Sequence, residues 1–126
     1  MKIFSAFLIS IALSCAPAMA AEVPYDKAQF DKTMAEGKPI VVDFHADWCP
    51  TCRMQKPAVK ALAADPKFAG VTIFIADYDK EKELKKQINV SKQATFVVFK
   101  NGQEVTRSTG ETNQYAIGTV FAKALD

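Results

Sequence analysis

The stretch Val42-Asp43-Phe44-His45-Ala46-Asp47-Trp48-Cys49-Pro50-Thr51-Cys52 decides how this chain folds. Its opening residues belong to a longer apolar run, Ile40 to Ala46, which lacks the alternation of a strand with one wet face and reads as a buried central strand. From Cys49 onward the residues read as a helix to about Ala64, with Pro57 inside it expected to kink it. Cys49 therefore stands where a strand gives way to a helix. Its sulfur faces unpaired backbone N–H groups and the positive end of the helix dipole, which favours the thiolate. Cys49 is expected to be the exposed nucleophile. Cys52, one turn along the same helix, is placed to resolve a mixed disulfide formed on Cys49.

Upstream, Asp26 with Gln29 three residues on marks a helix start, Phe30 and Met34 give that helix an apolar side, and Gly37 ends it before Pro39. Downstream, Val71 to Ala76 is a second buried β-rich run. Asp79 is expected to cap a short charged helix ending near Ile88, whose lysines and glutamates form a solvated face. Thr95 to Lys100, the turn Asn101-Gly102 and Gln103 to Ser108 spell a hairpin. From Thr112, the residues Ile117, Val120, Phe121 and Ala124 recur at helical spacing. The order is helix, strand, helix, strand, helix, hairpin, helix. Strands joined through helices run parallel and the hairpin pair antiparallel, so the expected architecture is α/β, a mixed β-sheet flanked by helices on both faces.

A chain of 126 residues, 49% hydrophobic and 24% charged, has the composition of one packed globular domain and excludes disorder, collagen-like repetition and a coiled coil. A formal charge of +2 supplies no field that argues for nucleic acid or an anionic membrane. Residues 1–20 stand apart. Met1-Lys2 is a short basic start, Ile3 to Leu13 is apolar, and Ala18-Met19-Ala20 is a small-x-small site before Ala21, the pattern of a cleavable secretory signal. Residues 3–13 fall well short of the roughly 20 needed to span a bilayer, so no stable membrane association is expected after cleavage. Cys15 fits a lipid-attachment site poorly, because Leu13 sits one place too late. The expected mature domain is residues 21–126, periplasmic or otherwise exported, and it keeps Cys49 and Cys52 of the three cysteines. A bridge between residues three apart constrains the unfolded chain least, so a purely structural disulfide is the poorer reading of this pair.

Val42-Asp43-Phe44, then Ala46-Asp47-Trp48-Cys49-Pro50-Thr51-Cys52, then Pro57, then Thr95-Phe96-Val97-Val98-Phe99-Lys100-Asn101-Gly102 agree in order and spacing with the thioredoxin family, which the chain resembles over nearly all of residues 21–126. The resemblance implies a thioredoxin-like fold and a protein disulfide oxidoreductase whose redox-active Cys49–Cys52 disulfide needs no cofactor and no metal. It implies a monomer that works on protein thiols and disulfides together with a redox recycling partner. It also implies that Asp43 is the buried acid accepting the Cys52 proton through water. Trp48, with Pro50 and Thr51, would border the substrate groove, and the backbone of Gln93, beside Ala94 and Thr95, would pair with an incoming peptide. Independently of any resemblance, a carboxylate inside an apolar strand must be paired, hydrated or protonated, which points its pKa upward; the alternative is a side chain reaching solvent at a strand edge.

Five positions depart from the family pattern. Pro50-Thr51 matches neither the Gly-Pro of many reductants nor the His-bearing dipeptides of many oxidants; Pro50 brings no N–H to Cys49, whereas Thr51 offers an N–H and a hydroxyl. Ile75 stands where reductants often carry a lysine beside the buried acid. His45, the single histidine, occupies a place usually aromatic, as a hydrogen-bonded filler or as a group that perturbs Cys49 or ligates metal. Ala94 replaces a cis-proline, and a cis bond before a non-proline costs about 2.5–4 kcal/mol, so Gln93-Ala94 is expected to be trans.

Two other classes compete with disulfide exchange. A copper- or zinc-handling module would use Cys49, Cys52 and His45, although one thiol pair is an incomplete zinc set. A non-catalytic thioredoxin-like binding domain would leave the intact Trp-Cys-x-x-Cys motif without a purpose.

Overall fold

The computed structural model describes residues 10–13 and 19–126; Met1, Lys2, Cys15 and Ala18 of the leader reading lie outside them. The elements are β1 (Ala21–Pro24), α1 (Lys27–Ala35), β2 (Ile40–His45), α2 (Pro50–Ala64), a 3-10 turn (Pro66–Phe68), β3 (Thr72–Asp77), α3 (Lys82–Gln87), β4 (Thr95–Lys100), β5 (Gln103–Thr109) and α4 (Gln114–Ala122). They form a five-stranded sheet in the order β1-β3-β2-β4-β5. β1 and β2 run parallel to β3, while β4 is antiparallel to both β2 and β5. The mixed sheet is the expected one.

Alternation along the strands sends side chains to two cores. Val41, Ile73, Phe96 and Val98 pack against Val59 and Leu62 of α2 and Ile117 and Phe121 of α4. Ile40, Val42, Phe74 and Val97 pack on the other face against Phe30 of α1 and Leu84 of α3. Since side chains two apart share a face, Asp43 and His45 point to the α2 side with Val41.

Two local signals, a helix cap and a hairpin turn, hold. Asp26 accepts from the Gln29 N–H at 2.8 Å, as a cap should. Asn101 and Gly102 both take positive φ (52° and 76°), the requirement of the two-residue turn whose twist suits a hairpin. Pro57 lies inside α2, which continues across it from Pro50 to Ala64.

Two features differ from expectation. β1 is additional: Ala21–Pro24 is a short, mostly exposed edge with no apolar alternation, and it becomes a strand only because the open side of β3 offers it a ladder from Ala21↔Thr72 to Pro24↔Ile75. Asp79 is not the cap of α3. That helix starts at Lys82 after Glu81, with no side-chain cap, and it is Asp77 whose carboxylate accepts the N–H groups of Asp79 and Lys80 at 2.9 and 3.1 Å.

Candidate active site

β2 ends at His45 in the middle of the sheet, and a tight turn in which the Cys49 N–H donates to Ala46 O at 3.1 Å delivers the chain to α2. Pro50 takes the first helical position, where a missing N–H costs nothing and φ is already set. Cys49 is thereby the N-cap residue, and its Sγ accepts the Cys52 N–H at 3.2 Å. The donor to this sulfur is the Cys52 backbone, at the third residue of the helix, rather than Thr51 at the second, although an N-cap side chain can reach either.

Cys49 is not exposed. It is 2% and Cys52 1% accessible, both packed with Ala46 and Ala94 under the partly buried Tyr78. Burial pushes the Cys52 thiol up to about 11, with its hydrogen bond to Cys49 adding to the rise.

Asp43 lies in a central strand between β3 and β4, which removes the strand-edge reading. Burial raises its pKa to about 7, with the Glu22 charge a lesser contribution in the same direction. Its partner across β3 is Ile75, so no cation answers it there. Asp43 opens instead on a cavity of about 230 Å³ lined by Glu22, His45, Asp47, Lys56, Val59 and Ile75, roomy enough for water. His45 Nε2 sits 2.9 Å from Asp47 Oδ1, a satisfied side chain at the mouth of this cavity. Among the described residues, no group of three or more His, Cys, Asp or Glu could hold a metal ion.

Trp48 is half exposed beside Cys49, and its indole N–H donates to Asp79 Oδ2 at 2.7 Å. Pro50 is exposed, while Thr51 and Gln93 are half-buried. The peptide bond before Ala94 is trans, and Ala94 adopts φ 58°. Its N–H donates to Phe44 O at 2.9 Å and its carbonyl accepts from Gly110 N. Thr95 is buried with its hydroxyl bonded to Lys92 O and Thr109 Oγ1, each at 2.8 Å, so its side chain serves the fold rather than a ligand.

Sequence reasoning missed two residues here. Gln55 is fully buried, and its Nε2 donates to Ala94 O at 3.2 Å and Glu111 O at 2.8 Å, while Oε1 has no protein partner. A polar residue on the same stripe of α2 as Cys52, Val59 and Leu62 was the available signal. Asp79 had none, because its bond to Trp48 spans 31 residues.

The thioredoxin family model matches residues 21–123. A thioredoxin of Chlamydia trachomatis is 40% identical over 94 residues, covering 75% of this chain and 89% of that protein. A thioredoxin H-type of Fagopyrum esculentum is 42% identical over 82 residues, covering 65% and 69% respectively. The crystal structure of Trxlp from Edwardsiella tarda matches with a TM-score of 0.78 at 38% identity, covering 80% of this chain and 98% of that one. The motif order, the sheet topology and the matches agree, and the chain belongs to the thioredoxin family of disulfide oxidoreductases.

Proposed function

We propose that this protein is an exported thiol-disulfide oxidoreductase that exchanges disulfides with protein cysteines through the Cys49-Pro50-Thr51-Cys52 pair. The observation that carries the reading is geometric: Cys49 Sγ caps α2 and accepts the Cys52 N–H at 3.2 Å, while Cys52, its thiol pushed up to about 11, lies on the same side of the sheet as the buried Asp43. A thiol so reluctant to ionise needs a base, and Asp43 becomes one near neutrality.

The cycle balances with these groups alone. The Cys49 thiolate attacks one sulfur of a substrate disulfide, forming a mixed disulfide and releasing a substrate thiolate that takes a proton from solvent. Asp43 takes the Cys52 proton through water, and Cys52 attacks Cys49 Sγ. The Cys49–Cys52 bond forms, the second substrate thiolate leaves, and two electrons have passed to the substrate. A dithiol partner returns the pair to its reduced form, and the same steps reversed would oxidise a substrate.

Support for export is the basic start, the apolar run over residues 3–13 and the Ala18-Met19-Ala20 site. Insulin reduction driven by dithiothreitol, compared between wild type, Cys49→Ser and Cys52→Ser, tests the chemistry; activity surviving Cys49→Ser would refute it. The reduction potential of the pair then gives the direction of flow, since 30 mV is about 1.4 kcal/mol.

A further inference from the structure

We infer that Gln55 is a positioning residue: its side-chain amide holds the Ala94 loop against the cysteine pair and so governs how protein substrates engage. The inference rests on the disulfide-exchange reading above and names what tunes that site.

Ala94 is the starting point. A positive φ of 58° in a residue with a Cβ is seldom adopted unless the surroundings impose it. Ala94 shares a buried cluster with Cys49 and Cys52, so the shape of its loop is the shape of the surface beside the reacting sulfurs. Three hydrogen bonds hold it: its N–H to Phe44 O, its carbonyl from Gly110 N, and the same carbonyl from Gln55 Nε2. The Gln55 bond is the one made by a side chain, and the same Nε2 reaches Glu111 O. One amide on α2 thereby ties together the loop before β4 and the loop after β5.

The orientation of that amide follows from its partners. Two carbonyls face it, so nitrogen and not oxygen must point toward them. The cost is a buried Oε1 without a protein partner. A side chain selected only for stability would be apolar here, filling the space on the α2 stripe and orphaning nothing of its own. The amide is better explained by what it holds.

The test compares wild type with Gln55→Met, which keeps the length and removes the amide, on two disulfides reduced with dithiothreitol as donor: insulin, whose bulk has to meet the surface around the sulfurs, Ala94 included, and a small aromatic disulfide, which need touch only the sulfurs. The expected result is that kcat/KM for insulin divided by kcat/KM for the small disulfide falls roughly fivefold or more, through a raised insulin KM, because a slightly misplaced binding surface penalises the substrate that uses it. The thermal midpoint should fall only slightly, because Met refills the space and Ala94 O keeps its bond from Gly110 N, while Glu111 O loses its Gln55 donor. An unchanged ratio, or an equal loss on both disulfides with a markedly lowered midpoint, overturns the inference and leaves Gln55 a packing residue. If wild type reduces neither disulfide, the exchange reading itself falls, an outcome separate from a failed ratio. Should Gln55→Met not fold, Gln55→Leu is read by the same ratio of the two disulfides, with an unchanged ratio again overturning the inference.

Discussion

The Trp48 indole N–H donates to the Asp79 carboxylate at 2.7 Å, tying the residue before Cys49 to the turn that follows β3. Trp48 is 56% exposed, so this bond rather than burial restrains the ring. Asp79→Ala should therefore release the indole at small cost, about 0.5–1.5 kcal/mol for one solvent-accessible hydrogen bond. The chain has a single Trp, so its fluorescence anisotropy reports the release directly. An unchanged decay would mean that packing, not Asp79, orients the ring.

Asp43 predicts a pH dependence of stability. The folded chain keeps its proton up to about 7 whereas an ordinary Asp releases it near 3.8, so the folded state binds the extra proton and loses stability as pH rises across that window, with no further loss above it. Asp43→Asn removes this loss. Its advantage over wild type in denaturant unfolding should be small near pH 4 and grow to roughly 2–4 kcal/mol by pH 7 and above.

The same substitution should slow the chemistry. Asn retains the shape but accepts no proton, so attack by Cys52 on the mixed disulfide should lose its inflection near pH 7 while formation of that mixed disulfide changes less. Stopped-flow separation of the two steps checks this. Equal effects on both steps would assign Asp43 to the fold instead.

Cys49 and Cys52 should alkylate in that order. Since both are buried, accessibility does not rank them, but Cys52 stays a thiol until about 11. A limiting dose of iodoacetamide at about pH 7 should label Cys49 first, and mass mapping reads the ratio. With Cys52→Ser, partners should accumulate as mixed disulfides on Cys49.

Position 94 should reject proline and accept glycine. A proline there would lose the N–H bond to Phe44 O and could not take φ 58°, so Ala94→Pro should destabilise by on the order of 2–4 kcal/mol unless the loop is rebuilt. Ala94→Gly keeps every backbone bond and relieves the positive φ, so its unfolding free energy should match wild type or exceed it by about 1 kcal/mol. Thermal unfolding of the pair of variants distinguishes the two directions.

Much of the fold was decided within short stretches of chain. The apolar run from Ile40 could only be a central strand, Asp26 and Gln29 mark a helix start whatever lies elsewhere, and Asn101-Gly102 fixes a hairpin register because few residues tolerate two positive φ values in succession. The position of Cys49 at a strand-to-helix junction followed in the same way, and so did the upward direction of the Asp43 pKa, since burial of a carboxylate has one sign. Tertiary structure alone decided the rest. β1 exists because β3 had an open edge, Asp79 left its expected cap to reach Trp48, Cys49 lies buried because Ala46, Ala94 and Tyr78 close over it, and Gln55 meets Ala94 across 39 residues and Glu111 across 56. Each of these is a hydrogen bond or contact whose two halves carry no local mark of one another, and only packing the helices on the sheet brings them within reach.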